Sequence, residues 1–178
     1  MELPSTAISR RIDPLITWVG ESTSWIWLVL LFTIVFNVVL RYVFGQGRIE
    51  LEEIQWHLYS TGFLLGIGYT FQVDRHVRVD VVHERLSPRT QGWLELYGIL
   101  LCVLPFTALI LIFSAPFVAT SYALSEVSVS PGGLPFRWVI KSLLFIGFFL
   151  LFLAIVSRFS RVWSFLFFSQ AGDQHESQ

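Results

Sequence analysis

The sequence predicts an all-α integral membrane protein, four transmembrane helices with short interfacial helices, and three observations carry that prediction. Hydrophobic residues make up 54% of the 178 residues and charged residues only 14%. A soluble domain carries roughly 25% charge. The charge that is present is segregated, leaving four long uncharged stretches. Leu, Ile, Val and Phe dominate those stretches, and mean hydropathy over the chain is +0.64. Twelve Lys/Arg against thirteen Asp/Glu leave a net charge of −1, so no basic surplus points to nucleic acid. The one cysteine, Cys102, excludes an internal disulfide and any Cys-rich metal motif.

Glu21 and Arg41 bracket nineteen uncharged residues, and Glu53 and Asp74 bracket twenty. Glu95 and Glu126 bracket thirty, and Lys141 and Arg158 sixteen. A hydrocarbon core about 30 Å thick needs roughly 20 helical residues. The first two stretches fit directly, and the third crosses with a tilt or a kink. The fourth is extended by Trp138, Val139 and Ile140, with Lys141 snorkelling to the interface. The spans are expected at about 19–43, 54–73, 93–120 and 136–157, within one membrane domain over 1–172 and a polar tail at 173–178. From Ser22 to Leu40 the first span holds twelve Leu, Ile, Val or Phe residues. Their insertion is favourable by roughly 4 to 7 kcal/mol before polar residues offset part of it.

Arg10 and Arg11 before that span resemble the start of a signal peptide. The apolar stretch is too long for a signal core, however, and ends in Leu40-Arg41-Tyr42 rather than small residues. Asp13-Pro14 reads as a helix cap with proline at the first helical position, followed by an interfacial run through Leu15, Ile16 and Val19. Eight Lys/Arg lie in the two termini and the second loop, against four in the first and third loops, so both termini are expected in the cytoplasm.

Glu50, Glu52 and Glu53 suit the first turn of the second helix, where the helix dipole favours negative charge. In the second loop Val77, Val79 and Val81 alternate like a strand, whereas Val82, Arg85 and Leu86 have helical spacing. A lone strand lacks a pairing partner, so a short interfacial helix is expected there. Ser87-Pro88 should start the third helix, and Pro131-Gly132-Gly133 should turn the chain before the fourth. Pro105 and Pro116 predict kinks that fit the third span to its neighbours.

No phosphate loop, nucleophile elbow or zinc-protease motif is present, and neither an enzymatic activity nor a cofactor is expected. Glu53 and His57 stand four apart and are expected to pair on one helix face. Gly62-Phe63-Leu64-Leu65-Gly66 is a Gly-x-x-x-Gly in an apolar stretch, suited to close packing within the bundle or on another subunit. Mid-span polar groups are few: Ser60, Thr61, Thr107 and Ser114, with Asn37 nearer an edge. A self-sufficient carrier would concentrate such groups at the midplane. An accessory subunit or an anchor fits better.

The run from Asn37 through Val38, Val39, Leu40, Arg41, Tyr42, Val43 and Phe44 to Gly45, followed by Glu52-Glu53, resembles the small membrane subunit (DctQ type) of tripartite ATP-independent periplasmic, or TRAP, transporters. His76-Val77-Arg78-Val79-Asp80-Val81, Glu84-Arg85-Leu86-Ser87-Pro88, and Gly133-Leu134-Pro135 with Trp138 and Lys141 are similar to later segments of that family. The resemblance covers residues 15–157. It implies a bacterial inner-membrane subunit of a symporter driven by an ion gradient. Its partners would be a large membrane subunit holding the substrate and ion sites, and a periplasmic binding protein delivering an organic acid. The Gly62/Gly66 face, with Arg41, Glu52 and Arg78 as anchors, is the expected partner interface. The alternative is a membrane anchor for a redox enzyme with haem or quinone between helices.

Overall fold

The computed structural model describes residues 3–73 and 86–168. The segment 74–85, with Arg78, His76, His83 and the interfacial helix expected there, lies outside the described residues, as does the tail 173–178.

Four helices make up the described chain, which contains no strand. Helix α1 is Ser9–Val43 and α2 is Ile49–Gln72. Helix α3 is Pro88–Ala123, and α4 is Arg137–Phe167. Three of them, α1, α3 and α4, are long and apolar enough to cross a membrane. The fourth, α2, is shorter, at 24 residues. That is still about 36 Å of helix. Its hydropathy is diluted by Gln55, His57, Ser60, Thr61, Thr70 and Gln72, and most of its residues are partly covered by the helices beside it.

Helices α1, α2 and α4 pack against one another in a triangle, and α3 lies chiefly on α4. At its glycines, the bundle brings backbone closest to backbone between α2 and α4. A methyl added to Gly147 of α4 would lie 2.5 Å from the Leu64 carbonyl oxygen of α2. One added to Gly68 of α2 would lie 3.1 Å from the Leu150 carbonyl carbon of α4. The two backbones touch because neither glycine carries a side chain. Around this contact Ile99, Leu151 and Ile155 form a buried cluster with Ile67, Phe71 and Phe148 against it.

The buried positions of α1 include Ser9, Ile16, Thr23, Leu30 and Asn37, each seven residues after the last. Those of the Leu104–Ala123 part of α3 are Thr107, Ser114 and Ser121, again seven apart. A strict seven-residue seam is that of helices wound left-handedly round each other. Outside these seams the apolar residues face outward: Trp25, Phe32, Phe106, Ile112 and Phe113 are all exposed. Small polar groups inside and bulky apolar groups outside suit a protein whose solvent is lipid.

Helix α3 departs from α geometry at Ile99–Val103, a π-helical turn in which the Leu104 N–H donates to the Ile99 carbonyl. Pro105 follows it. Proline has no N–H and its ring crowds the carbonyl four residues back, so a widened turn there relieves the crowding. Ser87 caps the start of α3, accepting from the Thr90 N–H with Pro88 at the first position, as the sequence suggests.

The beginning of α1 differs from the expectation. The helix starts at Ser9, Pro14 lies inside it, and the expected interfacial run is continuous with the span. Thr6 and Ser9 exchange backbone–side-chain hydrogen bonds at the start. Asp13 is thereby released from capping to make contacts between helices.

Substituting Gly147 by valine is expected to lower stability by about 1–3 kcal/mol, the usual cost of overpacking. Gly98, with nothing within 4 Å of its added methyl, should accept alanine with little effect. Thermal unfolding of the two purified variants in detergent checks both outcomes.

Candidate functional site

Polar side chains gather at both ends of the bundle, and they join its helices to each other. At the end holding the N-terminus, Ser157 of α4 donates to the Asp13 carboxylate at 2.5 Å, with Arg161 3.8 Å from its other oxygen. Gln72 at the end of α2 donates to the Asp13 carbonyl at 3.1 Å, and Thr6 bonds Ser160 at 2.7 Å. Beside them Glu95 of α3 and Arg158 of α4 form an ion pair with side chains only 8% and 10% exposed. Glu95 and Arg158 read in the sequence merely as span boundaries. Nothing in their spacing, 63 positions apart, signals that they meet.

At the opposite end the loop between α3 and α4 is pinned by two carboxylates. Glu53 in the first turns of α2, just ahead of the expected span, accepts from the Ser128 hydroxyl and from the Leu134 N–H at 2.6 Å. Glu126 accepts from Ser121 at 2.7 Å and pairs with Lys141, whose ammonium also lies 4.1 Å from the centre of the Phe117 ring. Gly132 turns the loop at φ +79, a left-handed conformation that glycine adopts freely. The Ser128 hydrogen bond, then that of Leu134, holds the Glu53 carboxyl below the usual carboxylate range. The Lys141 contact, then Ser121, does the same for Glu126. The expected Glu53–His57 side-chain pair is not formed. His57 Nδ1 instead contacts the Glu53 backbone carbonyl at 2.6 Å, because the loop has taken the carboxylate.

The residues expected to face a partner lie along the α1–α2 seam. Arg41 of α1 and Glu52 of α2 form an ion pair, with side chains 47% and 43% exposed. Below it, a groove of about 470 Å³ is lined by Leu30, Ile34, Asn37, Gln55, Trp56 and Tyr59 among others. The Trp27 ring meets Tyr59 edge-on and Tyr59 stacks on Phe63, forming an aromatic ridge. Beyond the ridge a second hollow, about 540 Å³, is lined by Gly20, Thr23, Gly62 and Gly66 among others. The two glycines have different surroundings. A methyl on Gly62 would sit 3.0 Å from the Trp27 ring, so Gly62 serves packing within the chain. A methyl on Gly66 would meet nothing within 4 Å, so Gly66 is open to the hollow. Arg41, Glu52, Gly62 and Gly66 thus share one seam, and Arg78 lies outside the described residues.

Residues 17–165 match the family described as tripartite ATP-independent periplasmic transporters, DctQ component. No curated protein matches the chain.

With two pinned carboxylates, the α3–α4 loop is expected to be acid-sensitive. A carboxyl whose pKa is lower in the folded protein contributes stability above its unfolded pKa and loses it as pH falls through the folded value. The loop should therefore be indifferent to pH between 6 and 8 and loosen below about pH 4, where ordinary carboxyls titrate. Hydrogen exchange of the Leu134 amide at graded pH, corrected for intrinsic rates, reads this out. Glu53→Gln should raise that exchange already at neutral pH.

Proposed function

The chain belongs to the DctQ component family of TRAP transporters, and from that premise we propose that it is the small membrane subunit that braces a separate, large membrane subunit during uptake. The large subunit holds the substrate and ion sites and is driven by an ion gradient. A periplasmic binding protein delivers an organic acid to it. The small subunit itself performs no chemistry and recognises no solute. Its termini lie in the cytoplasm, in keeping with eight Lys/Arg on that side against four on the other.

One observation carries this reading. Of the mid-span polar residues, Thr107 and Ser114 are buried between the chain's own helices, while Ser60 and Thr61 are partly covered and Thr61 donates to the His57 carbonyl of its own helix. A carrier would turn such groups toward a solute path, often at broken helices near the midplane. Here the only break from α geometry among the described helices, at Ile99–Val103, lies against apolar Leu151 and Ile155. The ionic groups hold the helix ends together, as a brace requires.

The α1–α2 face is where the large subunit docks, with Arg41 and Glu52 at one end and Gly66 in the second hollow. Helices associate in lipid through close packing against small residues, and Gly66 offers such a place to a foreign helix. Gly66→Leu should fold normally, because the added side chain enters open space. It should reduce co-purification of the large subunit and uptake together by about tenfold, the loss expected from roughly 1.4 kcal/mol of packing. Unchanged co-purification in that variant would remove the docking face from the proposal. Vesicles containing this chain alone should accumulate no organic acid, and accumulation there would overturn the brace.

A further inference from the structure

The groove beneath the Arg41–Glu52 pair has the depth and the polarity of one bilayer leaflet. Its α1 wall carries Leu30, Ile34, Val38 and Arg41 on one helix face. Leu30 and Arg41 are eleven positions apart, which is about 16 Å along the helix axis. Half of a hydrocarbon core is about 15 Å. The uncharged stretch from Ser22 to Leu40 is centred on Leu31, so the groove runs from the edge of the hydrocarbon, at Arg41, to its middle, at Leu30. There the ridge of Trp27, Tyr59 and Phe63 bounds it. Its polarity changes along the same line. The charged pair sits at the mouth beside the exposed rings of Tyr42 and Trp56, residue types that favour the membrane interface. Asn37 and Gln55 follow about one turn further in, and below them the lining is apolar or aromatic.

We infer that this groove binds one phospholipid of the leaflet opposite the N-terminus, with an acyl chain along Val38, Ile34 and Leu30 and a zwitterionic headgroup at Arg41 and Glu52. The headgroup carries a phosphodiester and a primary ammonium. A guanidinium has more N–H donors than one carboxylate occupies, and a carboxylate has acceptor sites beyond those facing one guanidinium. Here the two side chains are 47% and 43% exposed, which leaves those sites open. Phosphate against Arg41 and ammonium against Glu52 completes a ring of alternating charges. Arg41 and Arg48 balance Glu50 and Glu52 at this end of the seam, while Glu53 is turned into the α3–α4 loop, so no surplus positive charge favours an anionic lipid. A quaternary ammonium has no N–H to give Glu52. A transmembrane helix fits the groove less well, because the ridge interrupts it at the middle of the bilayer, where a lipid ends. The second hollow, lined by no charged group, stays open to the large subunit. The inference stands on the groove itself and does not require the docking reading.

The test is native mass spectrometry of the full chain, released from bilayers made of equal parts phosphatidylethanolamine, phosphatidylcholine and phosphatidylglycerol. One phosphatidylethanolamine per chain should be retained in preference to the other two. The double substitution Arg41→Gln with Glu52→Gln should cut that retention roughly tenfold, the scale of losing one charge-assisted hydrogen bond. Removing a half-exposed pair costs the fold little, so the thermal midpoint of the lipid-free variant should stay level. Val38→Trp fills the groove and leaves the charges in place, and it should lower retention to the same degree. Equal retention of the three lipids would mean an annular lipid only and would overturn the proposal. So would a preference for phosphatidylglycerol, or retention unchanged in either variant. Gly66→Leu acts in the second hollow and should keep the lipid. If that variant loses the large subunit yet keeps the lipid, both readings stand. If the charge-neutral variant loses the large subunit and keeps the lipid, docking stands and the lipid site falls.

Discussion

Every helix contact in this protein is made in a solvent as apolar as leucine itself, so hiding one apolar side chain against another gains little. What remains is closeness and polar pairing. The approach of α2 to α4, permitted by Gly68 and Gly147, supplies the closeness at the centre of the bundle. It places α2 with one side on α4 and the other on α1, and α4 with a further face free for α3. Were those two backbones held a side chain's width apart, the Ile99, Leu151 and Ile155 cluster would open and the seam of α1 on α2 would shift with it.

Polar pairing then sets the register of the helices along their axes. Close packing of small residues tolerates sliding, because one small residue resembles the next. Ion pairs do not. Glu95 with Arg158, and Asp13 with Ser157 and Arg161, tie α3 and α1 to the same two turns of α4 at one end. Glu53 and Glu126 tie the start of α2 and the α3–α4 loop at the other. A buried ion pair is poor evidence of net stability, but losing one member strands the other charge, so a slipped register is heavily disfavoured. The four helices are thus pinned at both ends and touch in the middle, which fits the bracing role proposed above.

Much of this was legible in the sequence, for identifiable reasons. Charge segregation marked the helices because the cost of placing charge in hydrocarbon exceeds any local preference. Ser87-Pro88 and Pro131-Gly132-Gly133 worked as punctuation because their backbone constraints are local. The seams were not legible. Thr23, Asn37, Thr107 and Ser114 are the inward residues, and hydrophobic periodicity seeks apolar residues on the inward face. When both faces of a helix are apolar that signal flattens, and the information passes to small and polar residues at intervals of seven. The start of α1 was misread for a related reason. Asp13-Pro14 has the composition of a helix start, but a residue 144 positions away claims the aspartate. Of the residues proposed to face a partner, Arg41 and Glu52 were recognisable as charges at a helix end, whereas the different surroundings of Gly62 and Gly66 depend on where the Trp27 ring falls.

The contrast between neighbouring residues Glu52 and Glu53 shows how one helical turn divides internal from external tasks. Consecutive residues on a helix do not face the same way. Glu53 points into the α3–α4 loop, where a hydroxyl and a backbone N–H satisfy it within the chain. Glu52 points along the α1–α2 seam to Arg41, and that pair remains nearly half exposed. Glu53 is thus completed within the chain, whereas the Glu52 pair stays open on the side of α2 that borders the groove. On the proposed docking reading, that asymmetry marks the side of α2 left for the large subunit.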